Sequence, residues 1–328
     1  MTRRALALSS CAAATALLAS AAPLIVYAGT LALFGFAHVV TELRYVAVRF
    51  RGRIAPKLAA CWALLLLLLA LARAADFGGV ALPGGRTAIE LALLGALLAV
   101  TALAAPPDRR IGATLAVGGA AVLAWCVHPT ALLALLAFLH NLTPLGFLAE
   151  ATRGREQQRE RWRIGSAALA AFVVVPLLIA LGVFEPLVSW FSTLASALPL
   201  DGAFLGIGPV DTHFSAFLPS AWHERDWAPR LFAAAVYLQC AHYFVVLHVL
   251  PRWLPHEIAK PRGPRFTTLV VLGLALGLAL YFVRSFHDAR ALYGIAAAVH
   301  AFLEWPLFLA LVVGNVPERE PLPIGGPA

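Results

Sequence analysis

From residue 58 to residue 72 the chain reads LAACWALLLLLLALA, without one charged side chain. A bilayer interior offers the backbone no water to bond, so a run like this crosses it only as a helix that satisfies its own hydrogen bonds. About 20 apolar residues suffice for the crossing, at ~1.5 Å per residue. Comparable runs recur at about 25–46, 58–75, 87–105, 111–127, 130–150, 164–184, 229–250, 266–285 and 291–314, separated by charged or Pro/Gly-rich breaks. Hydrophobic residues make up 61% of the 328, charged ones 13%, and the mean hydropathy is +0.82, which is far from soluble composition. The expected fold class is all-α, a polytopic integral membrane helical bundle of about nine transmembrane helices. It becomes ten if the N-terminal segment is retained as a helix.

Charge gives the expected orientation. The segments 1–4, 44–57, 106–110, 151–163, 251–265 and 315–328 hold 19 of the 25 Lys and Arg residues. The other six, Arg73, Arg86, Arg225, Arg230, Arg284 and Arg290, fall in the intervening connections. Excess Lys and Arg mark cytoplasmic loops. The split therefore implies a bacterial-type inner (cytoplasmic) membrane protein with its C-terminus in the cytoplasm. The net charge of +8 is then a topology signal, and nucleic acid is not an expected partner.

Residues 1–24 form an apolar segment in which Arg3 and Arg4 precede small residues ending Ala19-Ser20-Ala21, signal-like or a short helix. Residues 25–314 read as a single transmembrane bundle, within which 185–228 is an extracytoplasmic loop, and 315–328 as a cytoplasmic tail. The loop opens with PLVSWFSTLASALP, too short to span and aromatic enough to lie in the interface. Its polar remainder carries Asp211, His213, His223 and Glu224, and reads as a solvated loop or, more sharply, a lid over a site. Cys11, Cys61, Cys126 and Cys240 all lie in apolar segments without metal or disulfide spacing, and are expected in the core.

Four of the ten histidines, His38, His140, His242 and His300, interrupt apolar runs, and each run goes from outside to inside. Counted from the outer ends of those runs, their depths agree within roughly 6 Å at ~1.5 Å per residue, close to the middle of the bilayer. Two carry a glutamate one turn later, Glu42 after His38 and Glu304 after His300, on the same helix face. Ionised carboxylates at that depth cost several kcal/mol unless paired or coordinated. Neutral imidazole with carboxylate is a ligand set for non-haem iron, zinc or manganese. The expected metal ligands are His38, His140, His242 and His300. Glu42 and Glu304 stand as further ligands or as groups that orient the imidazoles during catalysis. Pro144 removes the usual partner of the His140 carbonyl. Gln239 and Tyr293, one and two turns before His242 and His300, are expected to face the same pocket. Three other readings remain open. They are cross-helix hydrogen bonding by single histidines, a membrane electron-transfer protein with haem b held by opposed imidazoles, and an ion or metal transport path built of His and Glu.

The pieces Gly35-Phe36-Ala37-His38 with Glu42, Phe138-Leu139-His140, and Val299-His300 with Glu304 resemble the Brp/Blh-type membrane β-carotene 15,15′-dioxygenases. The similarity lies in motif positions scattered over most of the chain. The family's Pro-His-Gly-Ala-x-Asp motif is absent, and position 144 is proline where the family carries a second histidine. The resemblance implies a non-haem iron centre held by the histidines and an O₂-dependent oxygenase. Its substrate would be a hydrophobic small molecule, lipid-like or isoprenoid/carotenoid, reached among membrane lipids.

Overall fold

The computed structural model describes residues 3–152, 158–186, 207–253, 265–314 and 316. Every regular element among them is helical: α1 (Arg3–Ala21), α2 (Pro23–Arg49), α3 (Pro56–Phe77), α4 (Gly85–Leu103), α5 (Pro107–Trp125), α6 (Pro129–His140), α7 (Thr143–Thr152), α8 (Gln158–Leu169), α9 (Val175–Ala180), α10 (Ala228–Phe244), α11 (Arg265–Arg284) and α12 (Phe286–Val312). Prolines open many of them, at the first turn where a missing N–H costs nothing. Seven helices are long and apolar enough to cross a membrane, among the described residues. The spans expected at 111–127 and 266–285 are also helical, as α5 and α11, but fall outside that group. The N-terminal segment is a helix, and α1 packs on α10 and α2. Residues 187–199 of the expected interfacial segment and most of the C-terminal tail lie outside the described residues.

Prolines also set the irregularities. Pro144 separates α6 from α7, and the His140 carbonyl it leaves free accepts a hydrogen bond from Thr143 Oγ1 at 2.6 Å. A π-helical stretch, Ala170–Val174, joins α8 to α9 just before Pro176. A second, Val245–Val249, follows His242 and precedes Pro251. In both, the wider turn accommodates a carbonyl that proline cannot bond.

The bundle core of the described residues has two large apolar clusters and a small third one at Ala102, Ala105, Ala113 and Val313. One of the large two centres on Tyr27, Phe214, Phe232 and Phe286, the other on Trp62, Phe147, Leu238 and Leu307. Helix α12 packs on α2, α3 and α4, while α10 packs on α1, α2 and α9. Gly35 permits the tightest part of the α2–α12 contact, since a Cβ there would lie 3.1 Å from the Tyr293 ring. Two expectations are corrected. Cys61 and Cys126 are exposed on the bundle surface, because on a lipid-facing helix an apolar side chain need not point inward. Cys240 is half-buried. Residues 207–218 are not a solvated loop either: His213, Phe214, Phe217 and Leu218 are buried against Tyr27 and Phe232. This part of the connection covers one end of the bundle.

Candidate metal centre

Helices α2, α6, α10 and α12 all start at the covered end, and their histidines stand 11 to 15 residues beyond the helix starts. At ~1.5 Å per residue this puts the imidazoles in one layer. One nitrogen from each of His38, His140, His242 and His300 lies within 4.8 Å of all the others. His300 Nε2 is 3.1 Å from His38 Nε2 and 3.1 Å from His140 Nε2. One nitrogen with a single proton or a single lone pair serves two such neighbours poorly. Around an ion with Zn–N-like bonds of ~2.0–2.1 Å, neighbouring ligand nitrogens would sit ~3.0–3.4 Å apart. The two His300 spacings match that sphere, and the whole set lies within 4.8 Å.

The surroundings fix the rings. His140 Nδ1 donates to Glu304 Oε2 at 2.5 Å, which leaves Nε2 with its lone pair toward the other imidazoles. Thr143 Oγ1 lies 2.8 Å from Glu304 Oε1 and within reach of the His140 carbonyl, tying the α6–α7 break to α12. The Tyr243 ring stacks on His38 at 4.1 Å, and its hydroxyl is 3.5 Å from that of Tyr293. Glu304 therefore orients an imidazole from behind, as carboxylates behind metal-bound histidines do.

Glu42 is different. It is 1% exposed, and its near polar neighbours are members of the same layer. Its Oε2 comes within 3.2 Å of His242 Nε2, and the Glu304 carboxyl lies alongside. His242 Nδ1 and His38 Nδ1 are buried without a partner. Buried polar groups are normally satisfied. Two adjacent carboxyls and several bare nitrogens at one depth form a site that a cation would complete.

A cavity of about 700 Å³ leads to this layer. Its floor includes His38, His140 and His300, and its mouth includes Asp76, Arg86 and His287 at the covered end. Gln239 and Tyr293 line it as expected, with Gln239 donating to Thr30 Oγ1 at 2.9 Å. Apolar walls between mouth and floor come from Leu31, Leu133, Leu136 and Phe302. Access thus runs from a polar mouth, where the sequence suggested only a midplane site open to apolar molecules.

All four histidines expected as ligands are brought together, and both glutamates reach them. Thr143 and Tyr243 escaped the sequence reading. Their signals were present: Thr143 lies between His140 and Pro144, and Tyr243 directly follows His242. His128, His213 and His223 stand apart from the cluster, bonded to Thr130, Ile207 and Leu218. Comparison with protein-family models, curated proteins and solved structures finds no match.

Proposed function

We propose that this protein is a membrane-embedded non-haem iron enzyme that uses O₂ to oxidise or cleave a lipid-like, isoprenoid or carotenoid substrate. The observation that carries the reading is the convergence of four imidazole nitrogens, one of them held by Glu304, on the floor of a cavity. His38, His140, His242 and His300 would hold the ion, with Glu42 beside them neutralising its charge. Bound iron would supply redox chemistry with O₂ at the cavity floor. Glu304 and Thr143 keep His140 in one tautomer. Tyr243 locks the His38 ring plane. The apolar walls exclude water and align a chain-like molecule over the floor.

The spacing favours a single ion over haem b. Axial nitrogens on the two faces of a porphyrin would stand about 4 Å apart, twice a metal–nitrogen bond, farther than the 3.1 Å of the two His300 pairs. The charge distribution supports a bacterial inner-membrane setting with the cavity mouth outside and the C-terminus in the cytoplasm. The test is iron content, optical spectrum and O₂ consumption of the purified protein with candidate lipids. About one iron per chain, no Soret band and lipid-dependent O₂ uptake are expected. A Soret band would hand the site to haem. A bound ion released along a gradient without O₂ uptake would make the protein a transporter.

A further inference from the structure

The cavity mouth carries three guanidinium groups and two carboxylates. Arg73 pairs with Glu90, Nε to Oε1 at 2.8 Å, and donates to the Gly294 carbonyl at 2.8 Å. Arg86 pairs with Asp76 at 2.8 Å and approaches Glu90 at 3.3 Å. Arg290 has no carboxylate partner among the described residues. Its Nη1 donates to His213 Nδ1 at 3.2 Å. His213 is fully buried and its Nε2 donates to the Ile207 carbonyl at 2.7 Å, so Nδ1 is bare and the ring is neutral. The histidine thus aims the guanidinium without cancelling its charge. Arg290 lines the cavity with Tyr27, Thr212 and Ser215 close by.

Arg290 and His300 lie on the same helix, ten residues apart, so the mouth cation stands ~15 Å above the histidine floor. Between them the walls include Leu31, Leu133, Leu136 and Ala297, with Gln239 and Tyr293 adding polar edges. A cation without a carboxylate partner, a largely aliphatic shaft and a histidine floor in line describe an amphiphile.

We infer that the cavity takes a single-chain amphiphile with one anionic head, carboxylate or phosphate. Arg290 holds the head, and the apolar chain reaches the histidine layer. Arg290 is a specificity-determining residue, and His213 its positioning residue. The inference narrows the substrate class of the proposed enzyme and rests on that reading for the role of the floor. The headless hydrocarbon β-carotene lacks the group that Arg290 would hold.

The experiment measures binding of dodecanoate, dodecyl phosphate, dodecanol and β-carotene to the full-length protein in zwitterionic nanodiscs. At least one anion should bind about 10-fold or more tighter than dodecanol, as a charge-assisted contact requires. Whichever anion leads identifies the head as carboxylate or phosphate. Arg290→Gln should erase the difference, and Arg290→Lys should retain part of it. Equal affinity for dodecanol and both anions in the wild type overturns the inference, whether or not the variants fold. So does an anion preference that survives in a folded Arg290→Gln protein. The same ligands are titrated against His242→Ala. A preference kept there supports Arg290 even if no metal is found, which separates this inference from the metal reading. A preference lost in His242→Ala but kept in Arg290→Gln would put the head on the cluster and overturn the assignment.

Discussion

Helix α2 carries two buried polar clusters, and they are built differently. At Arg49, eleven residues beyond His38, the guanidinium meets Glu150 twice, Nε to Oε2 at 2.9 Å and Nη2 to Oε1 at 3.0 Å, and Arg53 adds Nη1 to Oε1 at 3.0 Å. Both carboxylate oxygens are satisfied there, and α2 is tied to α7. At His38 the same helix enters a layer where four imidazole nitrogens and the Glu42 carboxylate face one another. A closed ion-pair cluster holds helices together. An open cluster of ligand atoms converging on one point is arranged for something else to complete it. Burial alone does not separate the two, and neither does a single unbonded nitrogen, since Arg49 Nη1 is also buried without a partner; the convergence of four ligand nitrogens on one point does.

The largest difference should appear on removing an imidazole. His38→Ala, His140→Ala, His242→Ala and His300→Ala should each lose most bound metal. His223→Ala, outside the cluster, should keep wild-type content by elemental analysis. Wild-type metal in any two of the four would break the assignment.

At the other cluster, Glu150→Ala leaves the buried Arg49 guanidinium without its carboxylate. A loss of about 3–5 kcal/mol in unfolding free energy is expected. Metal content of the folded fraction should not change. A metal loss matching the stability loss would mean that the two clusters are one unit.

Glu42→Gln and Glu304→Gln come next, keeping size and removing charge. Changes of this kind cost about 10–100-fold in metal affinity. If Glu304 acts by orienting His140, its variant should retain metal better than any histidine variant. Chelator competition ranks them. Silent substitutions would leave the carboxyls no part in holding the ion.

Much of this contrast was legible in the sequence. Four histidines at one depth, and glutamates one turn after two of them, needed only helical period and span direction. The partner groups were not legible, because they come from other helices. Nothing in the sequence of α2 says that Arg49 meets Glu150, or that Thr143 reaches Glu304 across 161 positions. Exposed positions of Cys61 and Cys126 were missed for a related reason: in a bilayer both faces of a helix can be apolar, so hydrophobicity does not tell inside from outside. The polar cavity mouth was hidden as well, since His213 and Arg290 are 77 residues apart and meet only when 207–218 folds over the bundle.

The smallest effect concerns that mouth, where His213 is satisfied like the Glu150 cluster. Burial holds its pKa below the ordinary range, the Ile207 carbonyl opposes this, and the adjacent Arg290 and His287 depress it further, with Asp211 acting the other way. The folded state thus prefers the neutral ring. Its contribution is fully present above the unfolded value of about 6.5 and is lost as pH falls below that toward the lowered folded value. Amide hydrogen exchange in 207–218 should be faster at acidic pH than at neutral pH after correction for intrinsic rates, and His213→Gln should remove the pH dependence. An unchanged pattern in His213→Gln would assign the effect to another group.

The central claim is that one ion is held by four imidazoles, and X-ray absorption at the metal edge of the purified protein tests it most directly. The expected spectrum has a first shell of nitrogen and oxygen at about 2.0–2.2 Å with outer-shell scattering from several imidazole rings. That outer-shell signal should weaken in any residual metal of His242→Ala. A porphyrin pattern, sulfur ligands, or an oxygen-only shell without imidazole scattering would contradict it.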